Sequence, residues 1–166
     1  MALLIDPTES LLDVVEDVAR LVPRGGLQAI HIYGHGAAGI QALGQDPITG
    51  QSIRDNQTTW QQLAQLAAPD ADLLLYGCNV GQGEAGQQLV HQLAKLSHFD
   101  VAASENITGR ADWSLEVHQG EITNGAPSLA HRFDGTLKAV SPSWMDVLSS
   151  GKEKTLVDAS AGQRGQ

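Results

Sequence analysis

Short apolar runs bounded by proline, glycine or polar residues recur along the chain between residues 3 and 122. Runs of this kind are typical of β-strands. We predict strands over Leu3–Ile5, Leu27–Tyr33, Asp72–Tyr76 and Val101–Ser104, and an alternating edge strand over Trp113–Val117. The continuous apolarity of Asp72–Tyr76 predicts a strand that is covered on both faces of its sheet.

Apolar residues with helical spacing fill the intervals between these strands. They predict helices over about 11–22, 60–67 and 84–97. The run Ile40–Leu43 is predicted to pair with a short strand near Gln51–Ile53 in a small hairpin. This alternation of strands and helices predicts an α/β fold with a mostly parallel sheet and helices on both faces.

The chain has 166 residues, enough for one domain and a tail. We place the domain at residues 1–133. Beyond Phe133 the pattern fails, so residues 134–166 are predicted to be a linker or tail, partly disordered or with one short helix. The N-terminus begins almost inside a strand, which leads us to expect a fragment of a longer polypeptide.

The charge balance is acidic, with ten Lys and Arg against nineteen Asp and Glu and a net charge of −9. Because nucleic acid requires a basic footprint, we expect no nucleic-acid partner. No apolar run in the sequence approaches the length of a membrane span. The sequence implies no cofactor, and a single cysteine forbids a disulfide within the chain.

Two side chains of catalytic chemistry follow two of the predicted strands. Cys78 lies between Gly77 and Asn79 just after one strand, and His35 lies between two glycines just after another. In a parallel sheet, ligands bind beyond the carboxyl ends of the strands. An imidazole can take the proton of a thiol, and the thiolate is the nucleophile. The sequence therefore predicts a His–Cys site at the edge of the sheet.

Each of these residues also has a structural interpretation. A free cysteine is most often a small buried hydrophobe, and a histidine in a turn can simply bond to nearby backbone. Zinc could be imagined between Cys78, His31 and His35, but the sequence contains neither HExxH nor CxxC spacing. We predict no metal site.

Several further motifs extend this pattern: Ile30–Gly36, Leu73–Val80, Gly83–Gly86, Asp100–Ser104, Thr108-Gly109 and Asp112-Trp113. Together they resemble the DUF4347 family of large bacterial surface and adhesin-like proteins. The resemblance covers roughly residues 3–122. It implies that the domain is secreted or lies at the cell surface as part of a larger bacterial protein.

The His-Gly after one strand and the Cys after the next also resemble the caspase, gingipain and clostripain group of cysteine peptidases. That resemblance implies a caspase-like three-layer sandwich. It implies a dyad of His35 and Cys78, with the backbone N–H groups of Gly36 and Cys78 as the oxyanion hole. The sequence departs from the Gln-Ala-Cys-Arg-Gly motif of caspases, because Gly77-Cys78-Asn79 stands in its place.

Ser104, Glu105 and Asp112 lie at or after the neighbouring strand end, so we predict that they line a substrate pocket. We expect a cysteine endopeptidase that acts on a peptide or protein, with its own parent chain as a candidate substrate. Two alternatives remain. One is a non-catalytic caspase-like interaction module of an adhesin-like protein, and the other is an acyltransferase or hydrolase that uses the same dyad on a non-peptide.

Overall fold

The computed structural model describes residues 2–109, 112–124 and 155–161. Most of the predicted tail lies outside the described residues. Within them, the chain forms nine strands and four helices. In chain order these are β1 (Ala2–Ile5), α1 (Leu11–Leu21), β2 (Leu27–Tyr33), β3 (Gly36–Ala37), β4 (Ile40–Gln41), β5 (Ile48–Thr49), α2 (Gly50–Asp55), α3 (Gln57–Ala64), β6 (Ala67–Leu75), α4 (Gly83–Ser97), β7 (Asp100–Ala103), β8 (Val117–Gln119) and β9 (Thr155–Ala161).

Six of these strands form one mixed sheet in the order β1-β9-β2-β6-β7-β8. Strand β6 pairs in parallel with β2 on one side and with β7 on the other. Strand β9 pairs antiparallel with both β1 and β2, so β1, β2, β6 and β7 all run in the same direction. These four strands confirm the predicted α/β fold with a mostly parallel sheet.

The predicted hairpin has a different partner strand. Ile40 pairs with Thr49 in β5, whereas Gln51–Ile53 lies inside α2. The Thr49 hydroxyl accepts the N–H of Ser52, and the Ser52 hydroxyl accepts the N–H of Thr49. This reciprocal capping box begins a helix where the sequence pattern predicted a strand, so that prediction was wrong.

The predicted edge strand over Trp113–Val117 coincides with a strand only at Val117, so the prediction was wrong for residues 113–116. Only Val117–Gln119 pairs with β7. Trp113 and Leu115 instead pack against the side chains of the sheet. The alternation of apolar residues there reflects contact with the face of the sheet and not strand pairing.

Alternation along the strands divides their buried side chains between two faces. On one face Ile32, Leu73 and Val101 join a core to which all four described helices contribute. The other, here called the aromatic face, carries Tyr33, Leu74, Tyr76 and Ala102. The sequence predicts helices on both faces, but in the described part of the chain the aromatic face is covered by the 112–124 segment instead.

Strand β9 comes from the segment predicted to be a tail. Its sequence holds only two large apolar residues, Leu156 and Val157, so its pattern is too weak to predict a strand. Val157 is 1% exposed and belongs to the core. Pairing with β1 and β2, which lie far away in sequence, decides the conformation of this segment.

Asp72 in β6 attaches the 112–124 segment to the sheet. Its side chain is fully buried. One carboxylate oxygen, Oδ2, accepts the backbone N–H groups of Thr123 (3.0 Å) and Asn124 (2.7 Å) and the side-chain amide of Asn124 (2.7 Å). Hydrogen bonds to an ionised carboxylate are stronger than neutral ones. This cluster therefore holds the cover of the aromatic face in place.

We predict that Asp72→Ala lowers the free energy of unfolding by about 2 kcal/mol, because it leaves these N–H groups without their acceptor. Urea denaturation monitored by circular dichroism would measure the change. Asp70→Ala is the matched control, since Asp70 lies in the same strand but is exposed. Equal stability of the two variants would show that the carboxylate of Asp72 does not anchor the segment.

Candidate functional site

The turns after β2 and β6 lie next to each other. Ile32 is in register with Leu75, and the N–H of Tyr76 donates to the carbonyl oxygen of Ile32 at 2.9 Å. His35 and Cys78 therefore follow adjacent parallel strands at the same edge of the sheet. The position that the sequence predicts for the two residues at neighbouring strand ends is confirmed.

Two glycines bring these turns into backbone contact. A Cβ atom on Gly36 would lie 2.5 Å from Cγ2 of Val80 and 2.8 Å from the carbonyl oxygen of Cys78. A Cβ atom on Gly77 would lie 3.0 Å from the Cα of Gly36. Side chains do not fit at such distances. The glycines beside His35 and Cys78 are therefore required for the close approach of the two turns.

His35 begins a small hairpin of β3 and β4. Its side chain is half-buried, and its carbonyl oxygen accepts the N–H of Ala42 at 2.9 Å. From β4, the fully buried Gln41 reaches the other turn, where its Oε1 accepts the N–H of Gly77 at 2.9 Å. Gln41 is not among the site residues predicted from the sequence, although a polar residue within the apolar run Ile40–Leu43 is a detectable signal.

The thiol of Cys78 is fully buried. Its sulfur accepts the backbone N–H of Thr108 at 3.3 Å. Burial raises the pKa of the thiol, and the smaller, opposing effect of the hydrogen bond from Thr108 does not restore it to its ordinary value. In this conformation Cys78 is a protonated, inaccessible thiol at neutral pH.

Residues 104–109, here called the strap, hold Thr108 against the cysteine. The carbonyl oxygen of Asn106 accepts the N–H of Asn79 at 2.8 Å, and that of Ser104 accepts the N–H of Gly81 at 2.8 Å. The strap thus runs along the turn that follows Cys78. Access to the sulfur depends on this segment as well as on the strands.

The N–H group of Cys78 acts on its own sulfur, where it contributes to lowering the pKa of the thiol. The N–H groups on either side of it are used, by Gly77 toward Gln41 and by Asn79 toward Asn106. Within the described part of the chain, no other residue accepts the N–H of Cys78. Asn79 has a left-handed φ of 61°, a conformation that asparagine adopts more readily than most residues. An N–H that no other residue accepts, at this point of a tight turn, can serve as an oxyanion donor.

The three predicted substrate-pocket residues lie in or beside the strap. Ser104 is fully buried, and its hydroxyl donates to the carbonyl oxygen of Asn106 at 3.2 Å. Glu105 is exposed. The carboxylate of Asp112 accepts the N–H of Ser114 (3.0 Å) and the side-chain amide of Asn106 (3.3 Å), and the hydrogen bonds from Ser114 are the main cause of its lowered pKa. The hydroxyl of Ser104 is thus occupied in holding the strap, and the role of all three residues in a pocket stays a prediction.

His31, the neighbouring histidine, belongs to the aromatic face. Its Nδ1 lies 3.3 Å from the hydroxyl of Tyr76, and its ring stacks with that of Tyr76 at a centroid distance of 5.9 Å. A cavity of about 480 Å³ opens on this face between Tyr76, Trp113 and Ile122. Cys78 does not line it.

The described residues contain no group of three or more His, Cys, Asp or Glu side chains arranged to hold a metal ion. None of their helices combines the length and apolarity that crossing a membrane demands.

We predict that Gly36→Ala lowers the free energy of unfolding by about 1–3 kcal/mol, because the added methyl group forces the two turns apart. Thermal and urea unfolding would measure this. Gly50→Ala is the control, because the nearest atom to its Cβ would be the end of a glutamine side chain at 3.1 Å. A fully stable Gly36→Ala variant would contradict the close contact of the turns.

We also predict that Asn106→Ala makes Cys78 react with iodoacetamide about tenfold faster at neutral pH, the equivalent of about 1.4 kcal/mol. The substitution removes the side-chain amide that donates to Asp112 and, at 2.8 Å, to Glu116. Mass spectrometry would follow the alkylation. Asn56→Ala is the control, since the side chain of Asn56 bonds to Ser52, in a different part of the chain. Identical rates in the wild type and Asn106→Ala would mean that the strap does not control access.

Comparison with known proteins gives one family and no closer relative. The family described as a domain of unknown function, DUF4347, matches residues 1–137. No curated protein and no solved structure matches the chain. The matched range includes both turns, the strap and the 112–124 segment, and so holds all the residues of the candidate site. The chain belongs to the DUF4347 family.

Proposed function

We propose that this domain is a caspase-like cysteine endopeptidase with a dyad of His35 and Cys78. The observation that carries the proposal is the backbone contact between the two turns, in which a Cβ on Gly36 would lie 2.8 Å from the carbonyl oxygen of Cys78. This contact places a half-buried imidazole and the only thiol of the chain on neighbouring turns of one sheet edge. The proposal includes the three-layer sandwich of caspase-like enzymes as the arrangement of the complete domain.

In the proposed reaction, His35 takes the proton of the Cys78 thiol. The thiolate attacks the carbonyl carbon of a peptide bond, and the N–H groups of Gly36 and Cys78 donate to the developing oxyanion. The C–N bond then breaks as His35 gives its proton to the leaving amine. Water, deprotonated by His35, hydrolyses the thioester and releases the new carboxyl terminus, which regenerates the thiol.

The closed state of Cys78 adds a step to this scheme. A buried, protonated thiol cannot meet a peptide, so the strap must first move Thr108 away from the sulfur. Opening brings water to the thiol and removes the desolvation that raises its pKa, so the thiolate becomes more populated. Loss of the N–H donor of Thr108 acts in the opposite direction, and the imidazolium of His35 takes over its role.

The charge beside the strap supports a preference for a basic residue before the scissile bond. Asp112 and Glu116 both place a carboxylate oxygen within 3.3 Å of the side-chain amide of Asn106, and Glu105 is exposed next to it. A substrate lysine or arginine would meet these carboxylates. The proposed substrate is a peptide or protein, and its own parent chain, a secreted or surface protein of a bacterium, is the first candidate.

A second candidate function is a non-catalytic caspase-like interaction module. The complete burial of the Cys78 thiol favours it, because structural cysteines are buried and inert. The two functions differ in what happens to Cys78 when the strap opens. Once it is exposed, the thiol of a peptidase reacts at pH values below the ordinary thiol pKa of about 8.5. The thiol of an interaction module keeps that ordinary pKa. The pH profile of alkylation in Asn106→Ala separates them.

We predict that Cys78→Ala abolishes cleavage and that His35→Ala slows it by about 100-fold or more, the usual contribution of a positioned acid–base group. Purified protein would be incubated alone and with a peptide containing arginine, and the products identified by mass spectrometry. His91→Ala is the control, because His91 lies exposed on α4. Cleavage that persists in Cys78→Ala, or that is absent from the wild type in both assays, would rule out the peptidase.

A further inference from the structure

We infer that Gln41 is a positioning residue of this site: its side-chain amide fixes the turn that carries Cys78 to the hairpin that carries His35. The inference rests on the proposed function, because it concerns how the two members of the dyad are held relative to each other. Gln41 touches neither reacting group. It acts on Cys78 through Gly77 and on His35 through the backbone of its own hairpin.

The contacts of Gln41 connect the two turns directly. It lies in β4 opposite Gly36, the residue that follows His35. Its Oε1 accepts the N–H of Gly77 at 2.9 Å, and its Nε2 donates to the carbonyl oxygen of Ala42 at 3.1 Å. The N–H of Ala42 in turn donates to the carbonyl oxygen of His35 at 2.9 Å. The side chain of Gln41 and the backbone hydrogen bond between Ala42 and His35 thus join Gly77 to His35.

Gly77 has no side chain of its own to fix the direction of the chain as it leaves the strand. It lies just beyond the end of β6, and glycine populates more φ and ψ combinations than any other residue. The direction in which Cys78 points follows from the conformation of Gly77. A hydrogen bond from Gly77 to a rigidly held acceptor removes this freedom. It also occupies the N–H of Gly77, so that this group does not compete with the N–H of Cys78.

The burial of Gln41 is consistent with a requirement for its amide. The residue is fully buried, and a buried amide is unfavourable unless its polar atoms are paired. An apolar side chain of similar size would fill the space at lower cost but would leave the N–H of Gly77 without an acceptor. Gly77 itself leaves room for this contact, since a Cβ there would lie 2.7 Å from Oε1 of Gln41.

The test compares Gln41→Met, which keeps the shape and removes both bonds, with Gln41→Glu, which keeps the acceptor for Gly77. Gln45→Met is the control, because Gln45 is exposed in the same hairpin region. Hydrogen exchange of the backbone amides, measured by NMR on the full chain, would show whether Gln41 holds the turn at Gly77. We expect the amide of Gly77 to exchange about tenfold faster in Gln41→Met, with the amide of Leu74 in β6 unchanged. In Gln41→Glu, which keeps the acceptor for Gly77 but loses the donor to Ala42, we expect the amide of Gly77 to exchange more slowly than in Gln41→Met.

Cleavage of a peptide with arginine before the scissile bond supplies the second measurement. We expect kcat to fall about tenfold in Gln41→Met with KM unchanged, since orientation of the nucleophile is lost while the binding surface is kept. Unchanged exchange at Gly77 in Gln41→Met would show that Gln41 does not hold the turn. Faster exchange at Gly77 with unchanged kcat would show that Gln41 does not position the site. Should Gln41→Met fail to fold, hydrogen exchange at Gly77 and kcat are compared between Gln41→Glu and Gln41→Asn instead, and the same two outcomes decide. A wild type that cleaves nothing would refute the peptidase, while the exchange data would still decide whether Gln41 holds the turn.

Discussion

The parallel pairing of β2 with β6, continued as a glycine-to-glycine contact beyond the strand ends, is the constraint on which the candidate site depends. Strand pairing alone fixes the two turns at neighbouring positions. Their separation is then set by Gly36 and Gly77, because neither has a side chain to keep the backbones apart. Gln41 adds a directional bond to this contact. The geometry of the site is thus determined by backbone atoms and one buried amide, and the chemistry by the two side chains that follow.

The state of Cys78 is set by a competition between two physical effects. Desolvation raises the pKa of the thiol, and the N–H of Thr108 lowers it by donating to the sulfur. Desolvation is the larger effect, so the cysteine is a protonated thiol in the closed conformation. The strap that closes the site is joined to the turn by backbone bonds at Asn79 and Gly81, and by the side chain of Asn106 to an acidic segment near the surface. The burial of this sulfur therefore depends on the hydrogen bonds of a segment that reaches the surface.

The two faces of the sheet are covered in different ways. Helices cover one face by close apolar packing, whereas the 112–124 segment covers the aromatic face and is held by the buried carboxylate of Asp72. The sheet also includes a strand from outside the family range. The match to the DUF4347 family ends at residue 137, yet β9 (Thr155–Ala161) lies between β1 and β2. Segments that are distant in sequence therefore complete both the surface and the interior of the sheet.

The amino-acid sequence by itself determined the strands β1, β2, β6 and β7, the helices α1, α3 and α4, and the location of His35 and Cys78 at strand ends. These features are local, because the period of apolar residues and the turn-forming glycines act within a few residues of each other. Tertiary structure decided what depends on distant partners. It placed β9 in the sheet and Gln41 against Gly77, and it turned the hydroxyl of Ser104 inward and buried the sulfur of Cys78 under Thr108. No local sequence pattern predicts these contacts, because each joins residues that only the folded sheet brings together.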